Sequence, residues 1–440
     1  MSKKSPKKTD LSQQVTEEKL IDAFSDVFLM SKKPLLSGSE SDDCAAIDLS
    51  FFSDSLNSSS SPSSPFSPHS KPAMPEFGNK SLVLSTDSVR QKTDFPPSMT
   101  FWQMGWMSAA VNLSDVAAMG ANPIAFLAAV GLPPVSSLEN AKELAAGIQD
   151  CVSLFGAEVI GGDTEFCEEV RVTGTVVGVS DNNQIVYRKN AKPGDLLCVT
   201  GYCGSAAVAL DVLLESDAPV KKDKSKNNDK RKTKSKLKPK IDASPSFLKN
   251  LTEPFPRVFE GRLLSKTGAL TSMMDTSDGL AVSVHELAKM SGVGFIVDAN
   301  KIPMEEEAFH VLFQLLSKST SSPAKIQKEL LEKALYIGGD YELLFTVSPD
   351  KLHLVEEAFD KFNADFGSDF SFDSGFGSGS QFQSQSQSRL GQNFGKSGRF
   401  PCLFSVIGKA VAGNEILLKT NENGKEQQIP LLKRGYGKDP

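Results

Sequence analysis

Five short motifs place an aspartate beside small polar residues, and most of them follow or interrupt an apolar run. An isolated aspartate of this kind is usually a helix cap or a turn residue. Five of them together predict that carboxylates from distant parts of the chain gather at the edge of a core. The motifs are SDDC at 41–44, STDS at 85–88, NLSD at 112–115, GGDT at 161–164 and DTSDG at 275–279.

Carboxylates that converge on one cleft repel one another and raise each other's pKa values unless cations neutralise them. Oxygen ligands without His or Cys suit Mg²⁺, which binds through a few carboxylates and substrate phosphates. Glycines at 161, 162 and 279 would allow a phosphate to approach the backbone closely. The residues alone therefore predict a Mg²⁺-dependent nucleotide enzyme that transfers a phosphoryl group.

Other classes of enzyme and site fit the sequence poorly. The chain has four histidines, at 69, 285, 310 and 353, and six cysteines without a CxxC pair, which argues against a His-based triad or a zinc site. A P-loop is excluded because no GxxxxGK precedes a Ser or Thr. No apolar run approaches the ~18 residues of a spanning helix. The basic start, MSKKSPKKTD, lacks the apolar region of a secretory signal. We therefore expect a cytoplasmic protein that does not bind membranes.

Three polar segments interrupt the folded pattern, at about 53–76, 219–245 and 366–397, and each is expected to be a disordered surface insertion. The remainder alternates between strands and helices, with a break near 181–183. We predict an α+β fold in two domains, 1–181 and 182–440. Helices are expected at 102–117 (ended by Gly120), from 136 or 137 through 155, and at 280–290 (ended by Gly292). Strands are expected at 82–84, 124–130, 157–160, 170–179 and 196–200.

The order of eight motifs resembles that of thiamine-monophosphate kinase, a family of the aminoimidazole ribonucleotide synthetase superfamily. NLSDVAAMGA is typical of the superfamily, while DTSDGL with GGDYELLFT favours the kinase branch. The eight motifs are DDCAAI, LSTDS, NLSDVAAMGANP, IGGDTE, YRKNAKPGDLLCVTG, DTSDGL, GGDYELLFT and RGYGKDP.

This resemblance implies a two-domain aminoimidazole ribonucleotide synthetase-like fold, in which the N-terminal α/β domain forms a homodimer and the ATP site. It also implies ATP-dependent phosphorylation of thiamine monophosphate to thiamine diphosphate, with Mg²⁺ bound. The attacking phosphate oxygen is already ionised near neutral pH, so no catalytic general base is expected. By motif matching, the Mg²⁺ ligands are Asp43, Ser85, Thr86, Asp87, Asp115, Asp163, Asp275 and Asp278.

The same matching gives ATP contacts at Gly162, Asp163, Arg188 and Ser277, and substrate contacts at Asp94, Gly339, Asp340 and Tyr436. Asp94 stands where many relatives have a His. It could face the thiazolium cation, contact the phosphate through Mg²⁺, or simply cap the turn before Phe95. Gly339 replaces a glutamate of relatives, and Asp340 is expected to take over its role. Tyr436 could stack on the thiamine ring or pack as a C-terminal tyrosine.

Two alternatives remain open at this point. One is another ATP-using enzyme of the superfamily, such as selenophosphate synthetase. That enzyme would need a reactive cysteine near the N-terminus, and the first 40 residues contain none. The other is nucleic-acid binding through residues 221–240, which hold eleven Lys/Arg against two Asp. Because a charge run is usually a solvated loop, we expect no nucleic-acid partner.

Overall fold

The computed structural model describes residues 44–49, 79–217, 241–316, 322–368, 403–422 and 425–435. The predicted insertion at 53–76 and most of those at 219–245 and 366–397 lie outside the described residues, as do Asp43 and Tyr436.

The first half forms a five-stranded sheet with two helices. Its strand order is β1-β2-β5-β3-β4, and all neighbouring strands are antiparallel except β3 and β4, which are parallel. The elements are β1 (Ala45–Asp48), β2 (Lys80–Arg90), α1 (Phe101–Ala118), β3 (Asn122–Leu132), α2 (Leu138–Leu154), β4 (Glu158–Phe166) and β5 (Arg171–Asp181).

Helix α1 lies at the centre of the molecule, and most of its residues are buried. It begins with a capping box, in which the Thr100 side chain and the Gln103 side chain each accept the other's backbone N–H. A Cβ at Gly105 would lie 2.0 Å from the Leu144 carbonyl oxygen of α2. The missing side chain therefore lets the two helix backbones touch.

The second half forms a seven-stranded sheet flanked by helices, with strand order β12-β11-β8-β10-β6-β9-β7. Its strands are β6 (Leu196–Thr200), β7 (Leu270–Asp275), β8 (Gly294–Asp298), β9 (Leu343–Val347), β10 (Phe404–Val411), β11 (Ile416–Glu422) and β12 (Lys425–Pro430). Its helices are α3 (Ser205–Asp217), α4 (Pro245–Thr252), α5 (Val258–Lys266), α6 (Leu280–Ser291), α7 (Glu306–Leu316), α8 (Pro323–Tyr336) and α9 (Leu352–Ser368).

Helix α1 also joins the two halves. The Trp106 indole N–H donates to the Pro254 carbonyl oxygen at 2.8 Å. A Cβ at Gly261 of α5 would lie 2.2 Å from the Ala117 carbonyl oxygen. One cluster of buried apolar residues consequently runs through both halves, and their division into two domains at 181–183 stays a prediction.

The α+β class is confirmed, and most predicted elements agree with the structure to within a few residues. The strand predicted at 157–160 is too short, because β4 continues to Phe166 by pairing with β3. The GGD sequence is thus part of a strand and not a turn after it. Residues 241–245, at the end of the insertion predicted at about 219–245, are ordered: the Asp242 N–H donates to Gln314, and Ser244 caps α4. None of the described helices is long and apolar enough to cross a membrane.

Candidate active site

The second and third aspartate motifs meet between β2 and α1. Side chains alternate along β2, so that Ser85 and Asp87 share one face. The Ser85 hydroxyl donates to the carboxylate of Asp115, one helical turn after Asn112. The Asp87 N–H donates to Oδ1 of Asn112 at 2.9 Å. Gly174 of β5 makes room for this amide, since a Cβ there would lie 2.3 Å from its nitrogen.

The fifth motif reaches the same place from the second half of the chain. It follows β7, and its Asp275 is 1% exposed. Asp275 accepts hydrogen bonds from the Ser114 hydroxyl of α1 at 2.7 Å and from the Ser277 hydroxyl at 3.0 Å. Helix α1 therefore brings three of the five motifs together.

The charges of three other carboxylates, from both halves, act on Asp87 at this junction. Burial raises the pKa of Asp87, and the charges of Asp275, Asp94 and Asp278 raise it further. The N–H of Ser88, which donates to Asp87 at 2.6 Å, acts in the opposite direction. Carboxylates gathered in this way favour a cation between them.

The donor set fits a hydrated Mg²⁺ ion. It consists of carboxylates and hydroxyls, the hard ligands that Mg²⁺ prefers, and Mg²⁺ usually keeps several of its waters. Among the described residues, no three His, Cys, Asp or Glu side chains stand close enough to hold a metal ion directly. The chemistry thus agrees with Mg²⁺ bound partly through water and substrate phosphates.

Two predicted metal ligands lie elsewhere. The Thr86 hydroxyl donates to the Gly174 carbonyl oxygen and contacts the Thr175 hydroxyl at 3.0 Å, so its side chain lies on the sheet face opposite to Asp87. Asp163 is exposed on β4 and accepts the N–H of Thr164 at 2.8 Å. The structure therefore does not place either side chain beside Asp87.

The GGD sequence forms a recess of its own on the same sheet. Gly162 pairs with Ala128, which pairs with Gly174, which pairs with Asp87. Three strand spacings, or about 14 Å, therefore separate Gly162 from Asp87. A Cβ on Gly162, whose φ is +155°, would lie 1.8 Å from the Ala128 carbonyl oxygen. The cavity measures about 330 Å³ and is lined by Ala128, Gly161, Gly162, Asp163 and Thr164.

The predicted residue Arg188 lies beside α6. Its carbonyl oxygen accepts the Ser291 hydroxyl at 3.2 Å. Burial acts to raise the pKa of Glu286, but the hydrogen bond and charge of Lys433 lower it, with smaller contributions from the charges of Lys289 and Arg188.

Asp94 accepts the N–H of Arg90 at 2.8 Å and the hydroxyl of Thr93 at 2.7 Å, which makes it a turn-closing residue after β2. Its charge nevertheless acts on Asp87. Both of its interpretations, a cap and a group that faces the substrate, therefore remain compatible with its position.

The segment before β9 lies against the fifth motif. The Gly339 N–H donates to the Ser277 carbonyl oxygen at 2.9 Å. Asp340 accepts the N–H groups of Gly204 at 2.6 Å and of Ala206 at 3.0 Å, at the start of α3. Burial raises the pKa of Asp340 to about 7, despite these two hydrogen bonds. In the structure Asp340 thus caps α3, and a substrate role stays a prediction.

Sequence reasoning missed three residues that hold the junction: Asn112, Ser114 and Tyr341. The first two are part of the NLSD motif, and both are fully buried. Tyr341 has a left-handed backbone, with a φ of 52°. The available signal was two polar residues, one directly before Asp115 and one a helical turn before it, in an otherwise apolar helix. Tyr341 gave none, because backbone strain is not visible in a sequence.

The C-terminal segment also reaches the junction. Leu431 accepts a hydrogen bond from His285, and the Lys433 ammonium lies 2.9 Å from the Glu286 carboxylate. A Cβ at Gly435 would lie 2.5 Å from the Asp278 carbonyl oxygen. The described chain therefore ends against the fifth motif, one residue before Tyr436.

Comparison with known proteins agrees with this arrangement. Residues 69–180 match the family model "AIR synthase related protein, N-terminal domain". A thiamine-monophosphate kinase from Methanospirillum hungatei JF-1 is 38% identical over 272 residues, which is 62% of this chain and 77% of that protein. A relative with the same name from Bacillus subtilis is 31% identical over 257 residues, which is 58% of this chain and 68% of the relative.

The fold is shared with a solved structure described as AaThiL complexed with AMPPCP and TMP. Its TM-score is 0.61 at 20% identity, and the match covers 98% of each chain. At this identity the likeness shows the fold alone, whereas the curated relatives are similar in sequence over most of their length. This chain belongs to the thiamine-monophosphate kinase family.

Proposed function

We propose that the protein transfers the γ-phosphoryl group of ATP to thiamine monophosphate, giving ADP and thiamine diphosphate, with Mg²⁺ at the junction of the two halves. The observation that carries this proposal is the convergence of Asp87 and Asp94 with Asp275 and Asp278, in a chain that belongs to this kinase family.

The chemistry requires two anionic phosphates to approach each other. Two unit charges 4 Å apart repel by about 4 kcal/mol at an effective dielectric constant of about 20. Bound Mg²⁺ would supply the positive charge that offsets this repulsion. The carboxylates of Asp87, Asp115, Asp275 and Asp278 would hold the ion, with the Ser85 hydroxyl beside Asp115. Asp43, Thr86 and Asp163 stay predicted ligands from the remaining motif positions, and the side chains of Thr86 and Asp163 lie apart from Asp87.

The chain itself positions the reacting groups. Ser114 and Ser277 hold the two oxygens of Asp275, which fixes that carboxylate relative to α1. The recess at Gly162 and Asp163 would receive part of ATP, with Ser277 and Arg188 as further contacts. Because the attacking phosphate oxygen is already ionised, the reaction then depends on orientation and charge neutralisation.

We also propose a homodimer formed through the N-terminal sheet. Strands β3 and β4 of this sheet expose apolar side chains: Ile124 is 42% exposed, Leu127 36% and Ile160 59%. An apolar face of this kind is typical of a surface that another subunit covers. The cytoplasmic location stays a prediction.

The test is a coupled assay of ADP release with ATP, Mg²⁺ and thiamine monophosphate, using the wild type, Asp115→Asn and Asp278→Asn. Each variant removes one charge from the metal site, so we expect a loss of kcat of about 10²-fold or more with the fold retained. Asp350→Asn is the matched control, since this exposed aspartate lies on a turn beside Ser348. Full turnover in both site variants would refute the assignment. A wild type that releases ADP without forming thiamine diphosphate would refute the function.

A further inference from the structure

Tyr341 has a backbone conformation that is uncommon for a residue with a side chain. Its φ is 52°, in the left-handed region that favours glycine. Hydrogen bonds on both sides hold it there. The Gly339 N–H donates to the Ser277 carbonyl oxygen, and Glu342 is joined to Thr276 by two bonds, of 2.8 and 3.0 Å. Strain that is held in this way frequently marks a functional position.

Tyr341 lies beside the fifth motif, between Gly339, which is bonded to Ser277, and Glu342, which is bonded to Thr276. Its ring packs partly buried against the main apolar cluster. Burial raises the pKa of Tyr341 well above its ordinary value, and the charges of Asp87, Asp275, Asp94 and Asp278 raise it further. A phenol is ordinarily protonated at neutral pH and can donate a hydrogen bond. Within the described part of the chain, its hydroxyl makes no hydrogen bond.

A phosphate bound at this junction would be surrounded mainly by hydrogen-bond acceptors. Carboxylates cannot donate to phosphate oxygens. The hydroxyls of Ser85, Ser114 and Ser277 already donate to carboxylates. Tyr341 is a neutral donor that lies beside the fifth motif and adds no negative charge. It is suited to bind an anion that the surrounding carboxylates would otherwise repel.

We propose that the Tyr341 hydroxyl donates a hydrogen bond to a phosphate oxygen of a bound substrate. The inference rests on the proposed kinase function and names a contact residue for it. The phosphate belongs either to thiamine monophosphate or to ATP, and the two are distinguished by which substrate the variant affects.

Tyr341→Phe tests the contact, because it removes the hydroxyl and keeps the ring. Tyr336→Phe is the matched control: the oxygen of this half-buried tyrosine accepts the backbone N–H of Leu432, away from the four carboxylates. KM and kcat are measured for each substrate, and the thermal midpoint is measured for each protein. A hydrogen bond to a charged group predicts a loss in kcat/KM of about 10- to 100-fold.

A loss confined to thiamine monophosphate assigns the acceptor phosphate, and a loss confined to ATP, or a loss of kcat at saturation of both, assigns the transferred group. Each supports the proposal if the thermal midpoint is unchanged and Tyr336→Phe resembles the wild type. Kinetics within about twofold of wild type would overturn it, as would a loss that only follows reduced thermal stability. A wild type without activity on thiamine monophosphate would instead refute the proposed function.

Discussion

Asp340 provides a test of the electrostatics that is independent of catalysis. Its carboxyl accepts the N–H groups of Gly204 and Ala206, but burial dominates and raises its pKa from 3.8 to about 7. Between these two values the folded protein holds a proton that the unfolded chain has released. Native stability is therefore lost as the pH rises through this window, and Asp340→Asn should remove that dependence.

The magnitude follows from the pKa. About three pH units, at 1.36 kcal/mol each, correspond to at most about 4 kcal/mol. At pH 4.5 the side chain of Asp340 is neutral, as that of asparagine is. The two proteins then differ chiefly by one hydrogen bond, because the NH2 group of asparagine cannot accept a backbone N–H. Near pH 8 the wild type carries the buried charge, so Asp340→Asn gains stability relative to it. The gain should level off above about pH 8.

The assay is thermal unfolding without ligands at intervals from pH 4.5 to 8.5. A change of 4 kcal/mol corresponds to a relative shift in Tm of the order of 10 °C. Asp350→Asn is the control, because the Ser348 hydroxyl lowers the pKa of that exposed carboxyl and it stays ionised throughout. Curves for wild type and Asp340→Asn that run parallel across the whole range would refute the reasoning.

Three further predictions concern packing and the phosphate recess. Gly105→Ala forces a methyl group against the Leu144 carbonyl oxygen and should destabilise the protein by about 1–3 kcal/mol, measured by urea unfolding. Arg257→Met leaves the buried carboxylate of Glu342 without its two hydrogen bonds from the guanidinium, and should lower the free energy of unfolding by about 3–5 kcal/mol. Partial recovery on adding Glu342→Gln would confirm the cause, whereas a single variant as stable as the wild type would contradict it. Gly162→Ala should lower kcat/KM for ATP by about 10²-fold, because its Cβ meets the backbone of β3, and unchanged ATP kinetics would exclude this recess as the nucleotide site.

The secondary structure was predictable wherever local signals are strong. Apolar spacing predicted α1, a capping serine predicted the start of α2, and Gly292 predicted the end of α6. The length of β4 was not predictable, because its second half is a strand only through pairing with β3, and partner strands are not encoded locally.

The sequence by itself determined the chemistry of the site: carboxylates beside small hydroxyl residues, glycines where backbones must approach, and the motifs that mark the family. The tertiary structure decided which of these residues meet. It brings Ser85, Asn112 and Asp275 together around α1. It places the Thr86 side chain on the opposite face of the sheet, and it makes Asp340 a cap at the start of α3. The physical reason is that these contacts depend on strand pairing, helix packing and the face that each side chain takes, which arise only when distant segments fold together.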